Sequence, residues 1–377
     1  MDGKCNIRRL SKILWEDVQV RRVIENKSKV IAFYLPQFHA IPENDEWWGK
    51  GFTEWVNTKK AKPLFEGHQQ PKTPLNDNYY CLLDAETQEW QAELAEKYGV
   101  YGFCYYHYWF NGKMLLEKPM ENMLNNKNIK LPFCISWANE PWARTWDGKN
   151  KEVLMSQVYG EEKEWKEHFD YLSKFFVDDR YIKIDNKPLM LIYRTSNIPK
   201  CDEMIECWNN ECKKLGFDGI YLVETMNSFQ NKSCVNKSDA VVEFEPMLTI
   251  RHHLPIHIQG VRYFKKKLGV LDKLNYDNLW NAVINKNEDY GKKKFLGAFV
   301  SWDNTARKKN KGLVLNEDSP SKFKKYFKKQ YDKAIEIGSE YIFINAWNEW
   351  AEGTYLEPDK ENEHGYIKAL NEVLNDE

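Results

Sequence analysis

Eight short runs of apolar or β-branched residues punctuate this chain: Val30–Leu35, Tyr101–Tyr106, Leu131–Ser136, Pro188–Tyr193, Gly219–Val223, Ala240–Phe244, Phe295–Val300 and Tyr341–Ala346. Most are followed by a stretch whose apolar positions recur at helical spacing, and that alternation predicts a parallel α/β architecture. Eight strand-helix units are the number that closes a (β/α)8 TIM barrel. After Asp84, Trp90, Leu94 and Tyr98 share one helical face that stops at Gly99, and Trp165, Phe169, Leu172 and Phe176 mark another helix. Glu203 to Leu215 reads as a helix closed by Gly216, and Ser319-Pro320 opens one that buries Phe323, Phe327 and Ala334 before Gly338. The connection after the fifth strand is indistinct, and the lysine-rich stretch 262–294 holds a sixth helix only approximately. The organisation expected is a single α/β barrel domain over residues 28–377 with extended βα loops. Residues 1–27 precede it as an N-terminal extension, in which Leu10, Ile13 and Leu14 form an apolar stripe.

Barrels of this kind carry their chemistry at the C-terminal ends of the strands, so the residues there form a candidate ring. The first strand delivers Tyr34, Gln37 and His39, and the second ends in Tyr105-Tyr106-His107-Tyr108-Trp109. The third ends in Ser136-Trp137-Ala138-Asn139-Glu140-Pro141-Trp142, followed by Arg144, Trp146 and Asp147. Strands four to seven offer Tyr193 and Arg194, then Glu224, then Glu243 and Glu245, then Trp302, Asp303 and Asn304. The candidate substrate contacts are therefore Tyr34, His39, Tyr106, His107, Trp137, Asn139, Glu140, Arg144, Trp146, Glu224, Glu245 and Trp302. Trp55, a core or lid residue like the Trp47-Trp48 pair, joins them. The plainer readings are that His107 is a satisfied structural histidine and that Glu140 opens a turn with Arg144 neutralising it.

The eighth strand ends in Asn345-Ala346-Trp347-Asn348-Glu349-Trp350-Ala351-Glu352-Gly353-Thr354. Breaking a glycosidic bond takes two carboxyl groups near one sugar ring, one donating a proton to the departing oxygen and one generating or replacing the nucleophile. Glu349 and Glu352 supply such a pair. An isolated acid pair at this spacing is usually a solvated loop, but Trp347 and Trp350 are costly to expose, and Asn348 suits a substrate hydroxyl. Asn348 and Trp350 therefore count as candidate contacts beside the two catalytic carboxyls.

Composition narrows the class. Aromatics make up 15% of the 377 residues, with 15 Trp and 21 Tyr, enough for a core and for rings that stack on sugars. A net charge of −1 argues against a dedicated nucleic-acid binder. The balance is uneven: residues 251–333 hold 20 Lys/Arg against 8 Asp/Glu, including Lys265-Lys266-Lys267, Lys292-Lys293-Lys294 and Arg307-Lys308-Lys309. These read mainly as solvated helix faces, with an anionic partner as the alternative: an acidic glycan, a nucleotide sugar, a lipid-linked glycan or a membrane surface met peripherally. No signal peptide and no apolar run of about 18 residues is visible, so no transmembrane segment is expected. Eight cysteines without CxxC spacing favour a reducing cytoplasm. His252, His253 and His257 lack acid or Cys partners at ligand spacing, so neither metal nor cofactor is expected.

Several longer motifs occur in fixed order: Ala32-Phe33-Tyr34-Leu35-Pro36-Gln37-Phe38-His39, Trp48-Gly49-Lys50-Gly51-Phe52-Thr53-Glu54-Trp55, Gly102-Phe103-Cys104-Tyr105-Tyr106-His107-Tyr108-Trp109, Ser136-Trp137-Ala138-Asn139-Glu140 and Asn348-Glu349-Trp350-Ala351-Glu352-Gly353-Thr354. Together they make the chain resemble the WbsX-type group, which is similar to glycoside hydrolase family 99 and is described among bacterial surface-polysaccharide (O-antigen, lipopolysaccharide, capsule) biosynthesis proteins. The resemblance implies a (β/α)8 barrel acting with retention on α-mannoside- or α-rhamnoside-type linkages. It implies Glu352 as general acid/base, and Glu349 as the residue that deprotonates the sugar's own 2-hydroxyl to give a 1,2-anhydro sugar. That route needs a 2-hydroxyl trans to the leaving group. Ala351 stands where family 99 members commonly show His, so the glycan is not carried over. On this scheme Glu352 is protonated at neutral pH when substrate is bound, by desolvation among rings and repulsion from Glu349, while Glu349 stays ionised. Three functions follow: a glycosidase-like enzyme, a retaining glycosyltransferase using the same acids, for which no DxD triplet or glycine-rich phosphate loop is visible, and a glycan-binding protein without turnover.

Overall fold

All eight apolar runs are strands, and each pairs in parallel with the next until the last returns to the first. The structure, a computed structural model, describes residues 27–144 and 152–375; the N-terminal segment and the site candidate Trp146 lie outside the described residues, as does the side chain of Arg144. The barrel strands are β1 (Lys29–Tyr34), β2 (Gly102–Phe110), β3 (Phe133–Trp137), β4 (Lys187–Ile192), β5 (Tyr221–Met226), β6 (Ala240–Glu243), β7 (Lys293–Phe299) and β8 (Tyr341–Asn345). Ala32 of β1 stands opposite both Phe103 of β2 and Ile344 of β8, which closes the cylinder.

The main helices around it are α1 (Glu54–Lys60), α2 (Ala85–Lys97), α3 (Glu162–Phe176), α4 (Cys201–Lys214), α5 (Ile256–Lys267), α6 (Tyr276–Asn285), α7 (Pro320–Glu336) and α8 (Gly365–Leu374). Two expected apolar stripes are buried, Trp165, Phe169, Leu172 and Phe176 in α3 and Phe323, Phe327 and Ala334 in α7, while in α2 Leu94 is buried and Trp90 and the capping Tyr98 are half-buried. Gly99 and Gly338 take positive φ just past α2 and α7, a conformation that glycine adopts at little cost. The stretch between β6 and β7 differs from its expectation. It holds three helices, Met247–His252, α5 and α6, because α5 has no fully buried residue and so prints no core stripe in the sequence.

Because the barrel is covered by helices and also filled, its strands are buried on both faces, as all nine residues of β2 show. Alternate residues then have different fates. Phe33 packs inside, 5.7 Å from the Tyr106 ring and 5.0 Å from Phe244. Its neighbour Tyr34 faces the helix layer, donating from its hydroxyl to Gln91 Oε1 of α2 at 2.6 Å. The interior is tight enough to demand a glycine at one point: a Cβ on Gly297 of β7 would lie 1.8 Å from the Glu243 carbonyl oxygen of β6.

That spacing yields a stability prediction. Gly297→Ala, which pries β6 from β7, lowers unfolding free energy by about 3 kcal/mol or more in urea titration. Gly260→Ala, in α5 with open space around it, shifts stability by less than about 1 kcal/mol and in the stabilising direction. Equal effects at the two positions would contradict the packing described.

Candidate active site

A cavity of about 550 Å³ opens at the C-terminal mouth of the barrel. Tyr106, Tyr193 and Phe244 line it from three strand ends, Trp48, Trp142 and Phe229 from the segments that follow β1, β3 and β5, and Glu349 and Glu352 from the loop after β8. Glu349 belongs to the two-residue strand Asn348–Glu349 and Glu352 ends the 3₁₀ turn Trp350–Glu352.

This loop is fixed from behind at almost every residue. Asn348 accepts from the Leu35 N–H at 2.8 Å and donates to the Leu35 carbonyl at 3.0 Å. Trp350 stacks on Tyr355 with ring centres 3.8 Å apart and donates its Nε1–H to Glu357 at 2.6 Å. Glu357 also accepts from Tyr80 and Gln91, and its burial pushes its carboxyl up to about 7 against the pull of those hydrogen bonds. Gly353 turns at φ 62 so close to the loop after β7 that a Cβ would stand 2.8 Å from that of Asp303. The Asp303 N–H donates to the Glu352 carbonyl at 2.7 Å, while the Asp303 carboxylate gathers His68, Gln70 and Thr305. The catalytic candidates therefore sit on a rigid support.

Arg307 lies between them. Its guanidinium donates to Glu352 Oε1 at 2.6 Å, lies 3.4 Å from Glu349 Oε2, and pairs with Glu54 Oε2 at 3.0 Å. Burial opposes the charge of Arg307, but the three carboxylates outweigh it and hold the guanidinium fully protonated. The two catalytic candidates are unequal. The Glu349 side chain is 9% exposed and that of Glu352 23%. Burial first, and the charge of Glu352 second, push the Glu349 carboxyl up to about 8, with Arg307 pulling the other way. Burial thus favours the protonated form of Glu349 in the free protein. Tyr106 and Tyr193 face the pair, and burial, followed by nearby carboxylate charge, raises both phenols.

Five of the named contact and catalytic candidates line the cavity, Tyr106, Glu140, Trp302, Glu349 and Glu352, together with Gln37, Tyr193, Arg194 and Asn304 of the strand-end ring. Glu140 pairs with Arg194 at 2.9 Å. The others described are supports. Tyr34 faces α2, as noted. His39 is buried with Nδ1 at 3.1 Å from the Pro36 carbonyl, and burial lowers its pKa to about 4. Trp55 donates to the Tyr80 carbonyl and packs on Trp350. His107 meets His168 of α3 at 2.9 Å, both held neutral by burial, and Trp137 packs edge-on to the same His168. Asn139 ties down the backbone of Arg194. Glu224 is enclosed by Ser233, Ser238, Thr195 and the Cys234 N–H, which lower its pKa against burial. Glu245 and Glu243 bury the ammonium of Lys286. Asn348 and Trp350 brace the loop from behind rather than lining the cavity.

Sequence reading did not single out Arg307, Glu54 or Glu357; Tyr108, which stood in the strand-end ring but not among the named contacts, lines the cavity. The signal for Arg307 was masked by Lys308 and Lys309 beside it; Glu54 had one available, an acid between Thr53 and Trp55 in a long motif.

A second cavity, of about 720 Å³, adjoins the first and shares Ser228, Met247, Trp302, Asn304 and Lys308 with it. Arg251, Arg262, Lys266 and Lys311 give it a basic lining.

Comparison with known proteins agrees with the fold. The family described as Glycosyltransferase WbsX matches residues 30–370. A protein of Xanthomonas campestris pv. campestris, the uncharacterized protein WxcX, is 35% identical over 349 residues, covering 92% of this chain and 49% of that protein. The chain thus spans about half the length of the curated relatives it matches. Among solved structures, a glycoside hydrolase-like protein superposes with a TM-score of 0.57 at 12% identity, over 93% of this chain and 94% of that one. The GH99 endo-alpha-mannosidase from Bacteroides thetaiotaomicron gives 0.53 at 14% identity, over 92% and 96%. These two likenesses establish the barrel fold; the family match over residues 30–370, with a relative 35% identical across 92% of the chain, establishes that the protein belongs to the WbsX glycosyltransferase family.

Proposed function

We propose that this protein is a carbohydrate-active enzyme of surface-polysaccharide metabolism that acts with retention on an α-mannoside- or α-rhamnoside-type bond. Glu352 serves as acid/base and Glu349 assists the sugar 2-hydroxyl. The observation that carries this reading is the convergence of both carboxyls on one guanidinium at the edge of a ring-lined cavity. Tyr106, Tyr193, Trp142 and Phe244 offer faces and edges for a pyranose, and Gln37, Glu140, Arg194 and Asn304 offer partners for its hydroxyls.

The proton inventory fits. Two carboxyls this strongly linked titrate as a unit, and the chemistry requires one proton between them: on the acid at the start, with the other group free to accept. In the free protein the raised pKa of the buried Glu349 favours its holding that proton. As substrate enters, the proton must reside on Glu352, leaving Glu349 as a base made strong by its burial. Arg307 offsets the repulsion between the two groups and holds their geometry.

A second reading, retaining glycosyl transfer, is favoured by the basic cavity that continues the cleft through Lys308 and by the description of the family. There a phosphate-linked donor would place its sugar at the carboxyl pair and its phosphates among Arg251, Lys308 and Lys311. The discriminating assay incubates the protein with α-mannoside or α-rhamnoside oligosaccharides, with and without nucleotide sugars. Release without nucleotide supports hydrolysis, nucleotide-dependent incorporation supports transfer, and tight binding without turnover supports a lectin-like protein.

Three outcomes are expected. Glu352→Gln abolishes turnover of unactivated substrate, by about 1,000-fold or more, while the Kd for substrate changes by less than about tenfold; unchanged turnover contradicts the assignment. The pH profile of kcat/KM has an alkaline limb near pH 8, since a raised carboxyl pKa keeps the shared proton to higher pH and activity falls only when it leaves. A flat profile through pH 9 contradicts that inventory. Arg307→Gln removes the cation that pulls the Glu349 pKa down, so the alkaline limb moves above that of the natural protein; movement to lower pH contradicts the role given to Arg307.

A further inference from the structure

Helix α5 departs from the pattern of the other barrel helices. None of its twelve residues is fully buried, yet it is rich in large apolar side chains. Ile256 is 88% exposed, Phe264 63% and Leu268 76%, and six of the fourteen exposed large hydrophobics among the described residues fall within residues 256–270. At about 100° per residue, Ile256, Val261, Tyr263, Phe264 and the capping Leu268 share one arc of about 160°. The opposite side faces the protein, where Arg262 pairs with Asp272 at 2.8 Å and donates to the Ile250 carbonyl.

Charge frames this apolar arc. Lys267 lies within it and Lys265 and Lys266 flank it; all three are free of ion pairs among the described residues, as are the neighbouring Lys308 and Lys311. Lysine is depleted from the centres of protein-protein interfaces, where its ammonium must be desolvated. The same mixture suits a bilayer surface, where apolar side chains enter the acyl boundary and lysines reach the phosphates. Tyr263, with an apolar ring and a polar tip, is of the type enriched at that boundary.

The position of the helix gives the face a purpose. Tyr263, Lys266 and Val270 line the basic cavity that adjoins the catalytic cleft. We propose that α5 and the turn after it dock onto an anionic phospholipid bilayer and so hold the mouth of the cleft against the membrane surface. This does not depend on which reaction the carboxyl pair performs. No helix among the described residues is long and apolar enough to cross a membrane; docking in the plane of the surface needs none.

The test is co-sedimentation of the 377-residue chain with vesicles of phosphatidylcholine, with and without about one-third phosphatidylglycerol. The chain is expected to bind the anionic vesicles, to bind pure phosphatidylcholine much more weakly, and to be released as salt is raised. The double variant Phe264→Asp/Leu268→Asp, both exposed and outside the two cavities, is expected to keep its circular dichroism spectrum and melting temperature while losing vesicle affinity by about tenfold or more. Failure of the natural chain to bind anionic vesicles overturns the proposal, as does equal binding by the variant. Sedimentation equilibrium supplies the remaining arm: a dimer that the double variant dissociates would assign the face to a second copy and overturn membrane docking.

Discussion

One buried guanidinium organises the mouth of this barrel. Arg307 touches Glu54 from α1, and Glu349 and Glu352 from the loop after β8, so three segments distant in sequence meet on a single cation. A lone buried charge of this kind is unfavourable, and so are two adjacent carboxylates; together they offset each other. Burial and the charge of Glu352 raise the carboxyl pKa of Glu349 against the pull of Arg307. Behind the cluster, Asp303 and Glu357 pin the same loop through His68, Gln70, Trp350 and Tyr80, so the carboxyls move little relative to the rings around them.

The architecture was largely legible because burial on both faces makes each barrel strand an apolar run, and eight such runs stand out. What the sequence obscured has a common physical cause in the alternation along those strands. Tyr106 reaches the cavity, whereas His107, one residue on, packs against His168 of α3. Likewise Phe33 fills the barrel while Tyr34 faces α2. A run of aromatic and polar residues at a strand end therefore mixes cavity-facing groups with groups that only lock helix to sheet, and nothing in composition separates them. Trp137 falls to the second kind, while Asn348 and Trp350 brace the loop after β8 from behind.

Charge was misleading in a similar way. Arg307 stands in a run with Lys308 and Lys309 that reads as a solvated basic face, yet its side chain turns inward to the carboxyl cluster while Lys308 and Lys309 stay exposed. The acid pair itself was readable, because tryptophans on either side imply enclosure. Its protonation was not, because how far an acid is desolvated depends on three-dimensional neighbours. The lysine-rich stretch after β6 concealed a further feature, a helix whose apolar residues face outward beside the cleft.

The account rests on Glu349 and Glu352 sharing one proton beside Arg307. Selective carbon labelling of glutamate carboxyls, with assignment through Glu349→Gln and Glu352→Gln, lets their titration be followed directly by NMR. The account predicts that the carboxyl pair gives one transition near pH 8, dominated by Glu349. Two ordinary transitions complete below about pH 5 would show two independent solvated carboxylates and contradict it.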